Sequence, residues 1–364
     1  MGKFLLLILA GFLCGNIYIY IRAIQRMCKT HILVRIIFSV LFWMSACMLF
    51  IAFGMRHSAL PDFLPKVLFS IGSLWLVFVL YMTILQLLFD IIKWSFAHKM
   101  KNGVIYALSI TIIIIIAGHI NYLHPRVNRI DIPLEKEFNG DTVTIVGISD
   151  LHLGYGTGKE RLRKFVDMIN AENPDIVLIA GDLIDNSVTP LYNEKMYEEL
   201  NTIKAPMGIY MAPGNHEYLS GIENSYRFIS TTGIRMFEDS IITLPNGIQL
   251  LCRDDAYGLK RLPIEQFVDK ADKRNPIILI DHQPHEIARK DATGIDLQFS
   301  GHTHHGQIWP GNIVTDMIFE QSHGYKKWNH SHVYVSSGLS LWGPPLRIGT
   351  SCDMVVFKLF KRSN

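Results

Sequence analysis

The sequence predicts an N-terminal four-helix membrane region followed by one α/β sandwich, two mixed β-sheets flanked by helices. Three observations predict it. Long apolar runs are confined to residues 1–123, basic and acidic residues are split unevenly at that boundary, and short β-branched runs recur beyond it. Of 364 residues, 49% are hydrophobic and only 18% charged, with a mean hydropathy of +0.22. An ordinary soluble domain carries about 25% charge, so part of this chain does not face water. The net charge of +3 averages two unlike parts. Residues 1–123 hold ten Lys or Arg against two acids, Asp62 and Asp90, whereas 124–364 hold 25 basic and 30 acidic residues. The second part is long enough for its own core.

Four apolar runs lie in the first part: Phe4 to Ile21, Ile36 to Met55, Val67 to Ile92 and Val104 to Leu123. Each approaches or exceeds the ~20 residues a helix needs to cross a bilayer core. The first is expected to be retained as a span, because a second run follows closely and no small-residue cleavage pattern separates them. Arg22, Arg26, Lys29 and Arg35 follow the first run and Lys93, Lys99 and Lys101 the third, against Lys3 at the start and Arg56 and Lys66 in the middle loop. The positive-inside rule then places both termini and the domain 124–364 on the outer side; Arg126 and Arg129 oppose that assignment. Asp90 and His119 lie near segment ends and read as reaching the interface rather than as an ion path.

Cysteine usage excludes structural zinc ribbons and thioredoxin-type redox motifs, since no CxxC or short Cys/His pattern occurs. Cys252 and Cys352 in the domain are open to pairing or to staying reduced.

From about His124 the pattern changes to short apolar runs, each ending in a polar cluster. Thr142 to Ser149 precedes Asp150-Leu151-His152, Ile176 to Ala180 precedes Gly181-Asp182, and Gly208 to Ala212 precedes Gly214-Asn215-His216. Ile277 to Ile280 precedes Asp281-His282, and Leu297 to Ser300 precedes Gly301-His302-Thr303-His304. The runs are strand-like. Helical stretches alternate with them, notably Lys159 to Ala171, with Leu162, Phe165, Val166 and Ile169 on one face, and Leu191 to Ile203. Strands alternating with helices make an α/β sandwich, and polar residues at strand C-terminal ends converge on one crevice. Any one cluster reads equally well as a cap or a turn; five such clusters point to one site.

The order Asp150-x-His152, Gly181-Asp182-x-x-Asp185, Gly214-Asn215-His216-Glu217, His282 and Gly301-His302-x-His304 resembles the calcineurin-like metallophosphoesterase superfamily. The segment SDLHLG at 149–154 and the segment GHTHHGQIWP at 301–310, behind an N-terminal membrane region, resemble its membrane-associated bacterial branch of YkuE- and YaeI-type phosphodiesterases. The resemblance covers about Arg126 to the C-terminus. It implies two divalent metal ions, one held by Asp150, His152, Asp182 and His304 and the other by Asp182, Asn215, His282 and His302, with Asp182 bridging. It further implies His216 as the outer-sphere group that stabilises or protonates the leaving oxygen, and Asp185 and Glu217 as supports that orient ligand imidazoles.

Carboxylate, carboxamide and imidazole ligands without a thiolate suit Mn, Fe or Zn. Between two such cations a water ionises near neutral pH, and the resulting hydroxide can attack phosphorus in line while the metals neutralise the developing charge. The expected protein is therefore a membrane-anchored phosphoesterase, a phosphodiesterase by resemblance, acting on a membrane-proximal or lipid-linked phosphate. The alternative substrate that the resemblance implies is a UDP-diacylglucosamine-type pyrophosphate of lipid A biosynthesis. A silent scaffold with this fold is the alternative outside enzymes, although every expected ligand position is filled. A nucleic-acid partner is excluded because the domain is net negative and has no basic, aromatic-rich stripe. Asp254 and Asp255 read either as supports of the site or as an exposed turn. His305 stands where this branch has glycine, and reads as a rim imidazole or a solvent-facing loop residue.

Overall fold

A computed structural model describes residues 2–55, 63–95 and 102–362. Arg56, Asp62, Lys99 and Lys101 of the charge argument lie outside the described residues. The chain falls into two compact units, Met1–Ile120 with Gly343–Leu346, and Asn121–Trp342 with Arg347–Asn364.

The first unit holds helices α1 (Gly2–Arg26), α2 (Ile32–Met55), α3 (Phe63–Ser95) and all but the last three residues of α4 (Gly103–Leu123), each helix long and apolar enough to cross a membrane. Every expected apolar run falls within one of them. Exposed Leu, Ile and Val along α1, α2 and α4 suit a lipid surround, while Phe42, Val79, Met82 and Ala107 are buried between the helices. The Asp90 carboxylate accepts from Tyr18, Arg22 and Gln86, so this acid enters the helix bundle as an ion pair with Arg22. His119 Nδ1 lies 2.9 Å from the Pro345 carbonyl oxygen within the same unit.

The second unit is built on two six-stranded sheets. Its strands are β1 (Arg126–Leu134), β2 (Thr142–Ile148), β3 (Ile176–Ala180), β4 (Ile209–Ala212), β5 (Ile234–Met236), β6 (Ser240–Thr243), β7 (Gln249–Cys252), β8 (Ile277–Ile280), β9 (Leu297–Ser300), β10 (Gly324–Lys327), β11 (His332–Val335) and β12 (Asp353–Lys361). The sheet orders are β1-β12-β2-β3-β4-β5 and β10-β11-β9-β8-β7-β6. Both sheets are mixed: β12 runs parallel to β1 but antiparallel to β2, and β10 and β6 are the antiparallel edges of the second sheet. The central strands β2, β3, β4, β7, β8 and β9 run parallel to their neighbours in these inner ladders.

Apolar side chains fill three layers. Ile145, Leu178, Tyr210 and Val355 of the first sheet meet Leu250, Ile278, Phe299 and Tyr334 of the second between the sheets. On the outer face of the first sheet, Val146 and Ile179 pack with helix α5 (Lys159–Ala171), which buries Leu162, Phe165, Val166 and Ile169 as its periodicity requires. Phe267, Val268 and Ile264 cover the outer face of the second. Burial on both faces explains why the inner strands read as continuous apolar runs without alternation. The expected helix Leu191 to Ile203 is two helices instead, Thr189–Asn193 and Met196–Leu200, because Lys195 between them takes a left-handed conformation at φ +50°.

Candidate metal centre

Because β2, β3, β4, β8 and β9 carry their polar clusters immediately after the last strand residue, the second unit gathers those clusters at the strand ends. Asp150, His152, Asp182 and His282 are buried there, and among the described residues three groups form in which ligand atoms lie within 4.8 Å of one another: Asp150 with His152 and His304, His152 with Asp182 and His216, and Asp182 with His282 and His302. Asp182 belongs to two of the groups. Its Oδ2 stands 3.7 Å from His152 Nε2 and 3.2 Å from His282 Nε2. His152 Nε2 faces His304 Nε2 at 3.1 Å, and His282 Nε2 lies 3.2 Å from both His302 Nδ1 and Asn215 Oδ1. The expected ligand residues thus come together around one carboxylate, and His216 joins them with its ring 4.5 Å from that of His152.

The backbone bends to aim them. Asp150, His152, Asp182, His302 and His304 all have positive φ, between +45° and +72°, a region that costs a residue with a Cβ about 1–3 kcal/mol. Five such residues in one cluster are held by the surrounding structure rather than by local preference. Two neighbours are glycines for a related reason. A Cβ on Gly214 would collide with Asp182 Oδ1, and one on Gly301 with Asp150 Oδ2, so the carboxylates can lie directly against the chain.

The donor set fits divalent metal. His282 Nδ1 is 2.7 Å from the Ala180 carbonyl, which fixes a proton there and turns Nε2 toward the centre. Burial, with His282 alongside, lowers the His302 pKa to about 3, and burial beside His152 holds His304 well below the ordinary imidazole value. His302 and His304 are therefore neutral acceptors, with His304 Nε2 standing 3.6 Å from Asp150 Oδ1. Burial opposes charge on Asp182, yet the imidazoles of His282, His216 and His152 hold its carboxyl far below the usual range. The same carboxylate, with Asp150 and Asp255, raises His282 against its burial. The field at this point calls for positive charge, which two cations would supply.

Asp185 and Glu217 stand behind the cluster and act differently. Asp185 Oδ1 lies 3.4 Å from both His152 Nδ1 and His216 Nδ1, and its carbonyl oxygen lies 2.8 Å from His216 Nδ1. Although its own burial opposes ionisation, these two imidazoles bring its pKa down to about 2. Glu217, expected to orient an imidazole, touches none. Its carboxylate accepts the backbone N–H groups of Asp182, Ile184 and Gly214 at 2.9, 3.0 and 2.7 Å, tying the ends of β3 and β4 together. The expectation fails because the Glu217 carboxylate, at the third position of its short helix, is taken up by backbone amides just past the ends of two strands.

Asp254 and Asp255 are buried, so the exposed-turn reading is not what forms. Asp254 accepts from Tyr218 at 2.5 Å and Asp255 from Gln283 at 2.9 Å, bracing loops beside the centre. His305 is half-buried and stacks on His323 with ring centroids 4.5 Å apart. Asp281, next to His282, turns away to Arg253, Arg261 and Lys290 at 3.0, 2.8 and 2.7 Å. Arg347 was not legible as a site residue. It is fully buried, and its guanidinium donates to the carbonyls of His304, Ser337 and Ser340 at 2.6, 2.5 and 2.6 Å. Its partners are backbone oxygens, which leave no residue-type signal.

Residues 143–306, the span of all these ligands, match the calcineurin-like phosphoesterase family. An uncharacterized metallophosphoesterase of Helicobacter pylori is 30% identical over 319 residues, covering 83% of this chain and 85% of the relative. The chain belongs to the calcineurin-like metallophosphoesterase family. This metallophosphoesterase is similar beyond bacteria as well: a zebrafish transmembrane protein with a metallophosphoesterase domain is 28% identical over 97% of this chain and 88% of that one. The uncharacterized metallophosphoesterase YkuE of Bacillus subtilis is 29% identical over 60% of this chain and 79% of that protein. Membership makes the chain a hydrolase of phosphoester bonds that depends on a dinuclear metal centre, and its four apolar helices make it a membrane protein.

Proposed function

We propose that this metallophosphoesterase is a phosphodiesterase acting on a lipid or lipid-linked phosphate at the outer membrane surface. The observation that carries the reading is the double membership of Asp182: one buried carboxylate shared by two imidazole groups, with His216 beside them. Asp150, His152, Asp182 and His304 would hold one divalent ion, and Asp182, Asn215, His282 and His302 the other. Such a pair supplies Lewis acidity, ionising water near neutral pH and neutralising charge on phosphoryl oxygens. The chain's own part is to fix geometry and handle one proton. His216 Nδ1 is engaged by the Asp185 carbonyl, which leaves Nε2 to carry the proton to the departing alkoxide. Asp185, within 3.4 Å of both His152 and His216, keeps the two rings in register.

A lipid substrate is supported by the four membrane helices and by the shortness of the connection from Leu123 to Arg126. The outer placement rests on the basic residues after α1 and at the end of α3. The test is metal analysis and hydrolysis of bis-aryl diester, aryl monoester and vesicle-borne lipid phosphate by wild type, Asp182→Ala and His216→Ala. Asp182→Ala is expected to lose bound metal and activity together, and His216→Ala to keep metal while kcat falls about 10²–10⁴-fold. Full hydrolysis by Asp182→Ala would reject the shared-carboxylate centre, turnover of the monoester alone would reject the diester assignment, and a C-terminal topology reporter decides the side.

A further inference from the structure

We propose that the helix Gly311–Ile318 is an interfacial membrane-binding element, its apolar face laid into a lipid surface and its polar face fixed to the ligand loop Gly301–His304. Ile313, Val314, Met317 and Ile318 are all exposed, Met317 to 82% and Ile318 to 62%, and no residue of this helix is buried. At 100° per residue these four occupy one arc of about 140°, opposite Asn312, Thr315 and Asp316. Scattered exposed aliphatics are ordinary on a protein surface, but a contiguous helical face of them marks an interaction site.

The polar face is anchored. Asp316 accepts from Ser322 Oγ, and the Ser322 carbonyl accepts from Thr303 Oγ1 at 2.6 Å, between the ligand residues His302 and His304. His305 Nε2 lies 3.8 Å from Asp316 Oδ1. At the start of the helix Gly306, at φ +65°, approaches so closely that a Cβ there would run into the Gly311 and Asn312 backbone. The helix therefore cannot roll its aliphatic face inward without breaking its ties to the loop.

A lipid surface, rather than a protein, fits this face for three reasons. The same chain carries four membrane-crossing helices, and β1 begins three residues after α4 ends. Trp309, just before the helix, donates its main-chain N–H to the Ile348 carbonyl at 2.8 Å. Trp309 and Trp342 are exposed indoles, the side chain enriched at headgroup level. The helix has no Lys or Arg, so insertion would depend on apolar area and not on anionic lipid. The inference deepens the lipid-phosphate reading and rests on it for its consequence: a phosphate at headgroup level is delivered beside His302 and His304.

The full chain, reconstituted in phosphatidylcholine vesicles containing a phosphatidylcholine with a diazirine in its acyl chain, is irradiated and its lipid adducts mapped by peptide mass spectrometry. Adducts are expected on residues 309–318 as well as on the four membrane helices. The double variant Ile313→Glu, Met317→Glu is expected to lose at least ten-fold of the adducts on 309–318 while those on the membrane helices persist. Adducts confined to the membrane helices in the wild type overturn the proposal, whether that face is bare or covered by a second copy of the chain. Adducts on 309–318 in a protein that hydrolyses no lipid phosphate uphold the docking helix and overturn the substrate reading instead.

Discussion

One oxygen of the Glu217 carboxylate accepts the backbone N–H of Asp182 at 2.9 Å and that of Gly214 at 2.7 Å. Asp182 in turn accepts the His216 N–H at 2.9 Å, so the residue shared by both imidazole groups is held at its main chain and at its side chain by one short helix, Asn215–Leu219. The remaining Glu217 oxygen accepts from Ile184 at 3.0 Å. Glu217→Gln replaces one acceptor with a donor that faces a backbone N–H. The expected result is a loss of about 1–3 kcal/mol of stability and about a 10–100-fold weaker metal affinity, read by denaturant titration and by competition with a metal indicator. Unchanged affinity would show that the position of Asp182 does not depend on this bracket.

Asp281 behaves as an anchor for buried cations, not as a ligand. Burial opposes its charge, but Lys290, Arg261 and Arg253 hold its carboxyl far below the usual range. A depressed acid contributes stability that is complete above its unfolded pKa of about 4 and is lost as pH falls below that toward the folded value. Wild-type stability should therefore decline between about pH 4 and 2, and Asp281→Asn should remove this part of the slope. The substitution also leaves three cations around an uncharged amide, which is expected to destabilise by about 3–5 kcal/mol at neutral pH. Urea titrations at pH 7 and along the acid limb check both statements.

Arg347 closes the far side of the centre. Its planar fork reaches the His304, Ser337 and Ser340 carbonyls at once, and Nε lies 3.3 Å from Cys352 Sγ. Lysine keeps the charge but cannot reproduce that fork. Arg347→Lys should lower the melting temperature and weaken metal retention, with a stability loss of about 1–3 kcal/mol for the carbonyls left unsatisfied. A variant that melts with the wild type and holds metal equally would show that the ligand loop is fixed by other contacts.

The parts of the site legible in the sequence are those whose chemistry is carried by residue type and position along the chain. Asp150, Asp182, Asn215, His282 and His302 each come within three residues of the end of an apolar strand, so parallel strand ends bring them together. Glu217 was legible as a neighbour of the site but not in its role, since its partners are amides that every residue possesses. Arg347 and the pairing of β12 beside β2 were invisible, because both depend on contacts between segments far apart in the chain. The break at Lys195 was missed because a left-handed lysine leaves the apolar periodicity around it almost intact. The helix Gly311–Ile318 was missed because eight residues with no buried position carry little periodic signal.

Metal removal should reveal how strongly the centre opposes itself. Asp150, Asp182 and Asp255 are buried within one cluster, and burial raises Asp150 and Asp255 above the usual carboxyl range while Asp182 is held low by its imidazoles. Cations binding there offset the repulsion among the acids and stabilise only the folded chain. Chelation is expected to lower the melting temperature of the full-length protein, and added Mn²⁺ or Zn²⁺ to restore it in proportion to the logarithm of free metal above the dissociation constant. At 100 times that constant, one site contributes about 2.7 kcal/mol. Asp182→Asn should flatten the dependence on added metal more than Asp255→Asn, because Asp182 belongs to two of the ligand groups and Asp255 to none, its carboxylate being taken up by Gln283 and the Tyr257 amide. Equal flattening by the two variants, scanned side by side by calorimetry, would remove the special place given to Asp182.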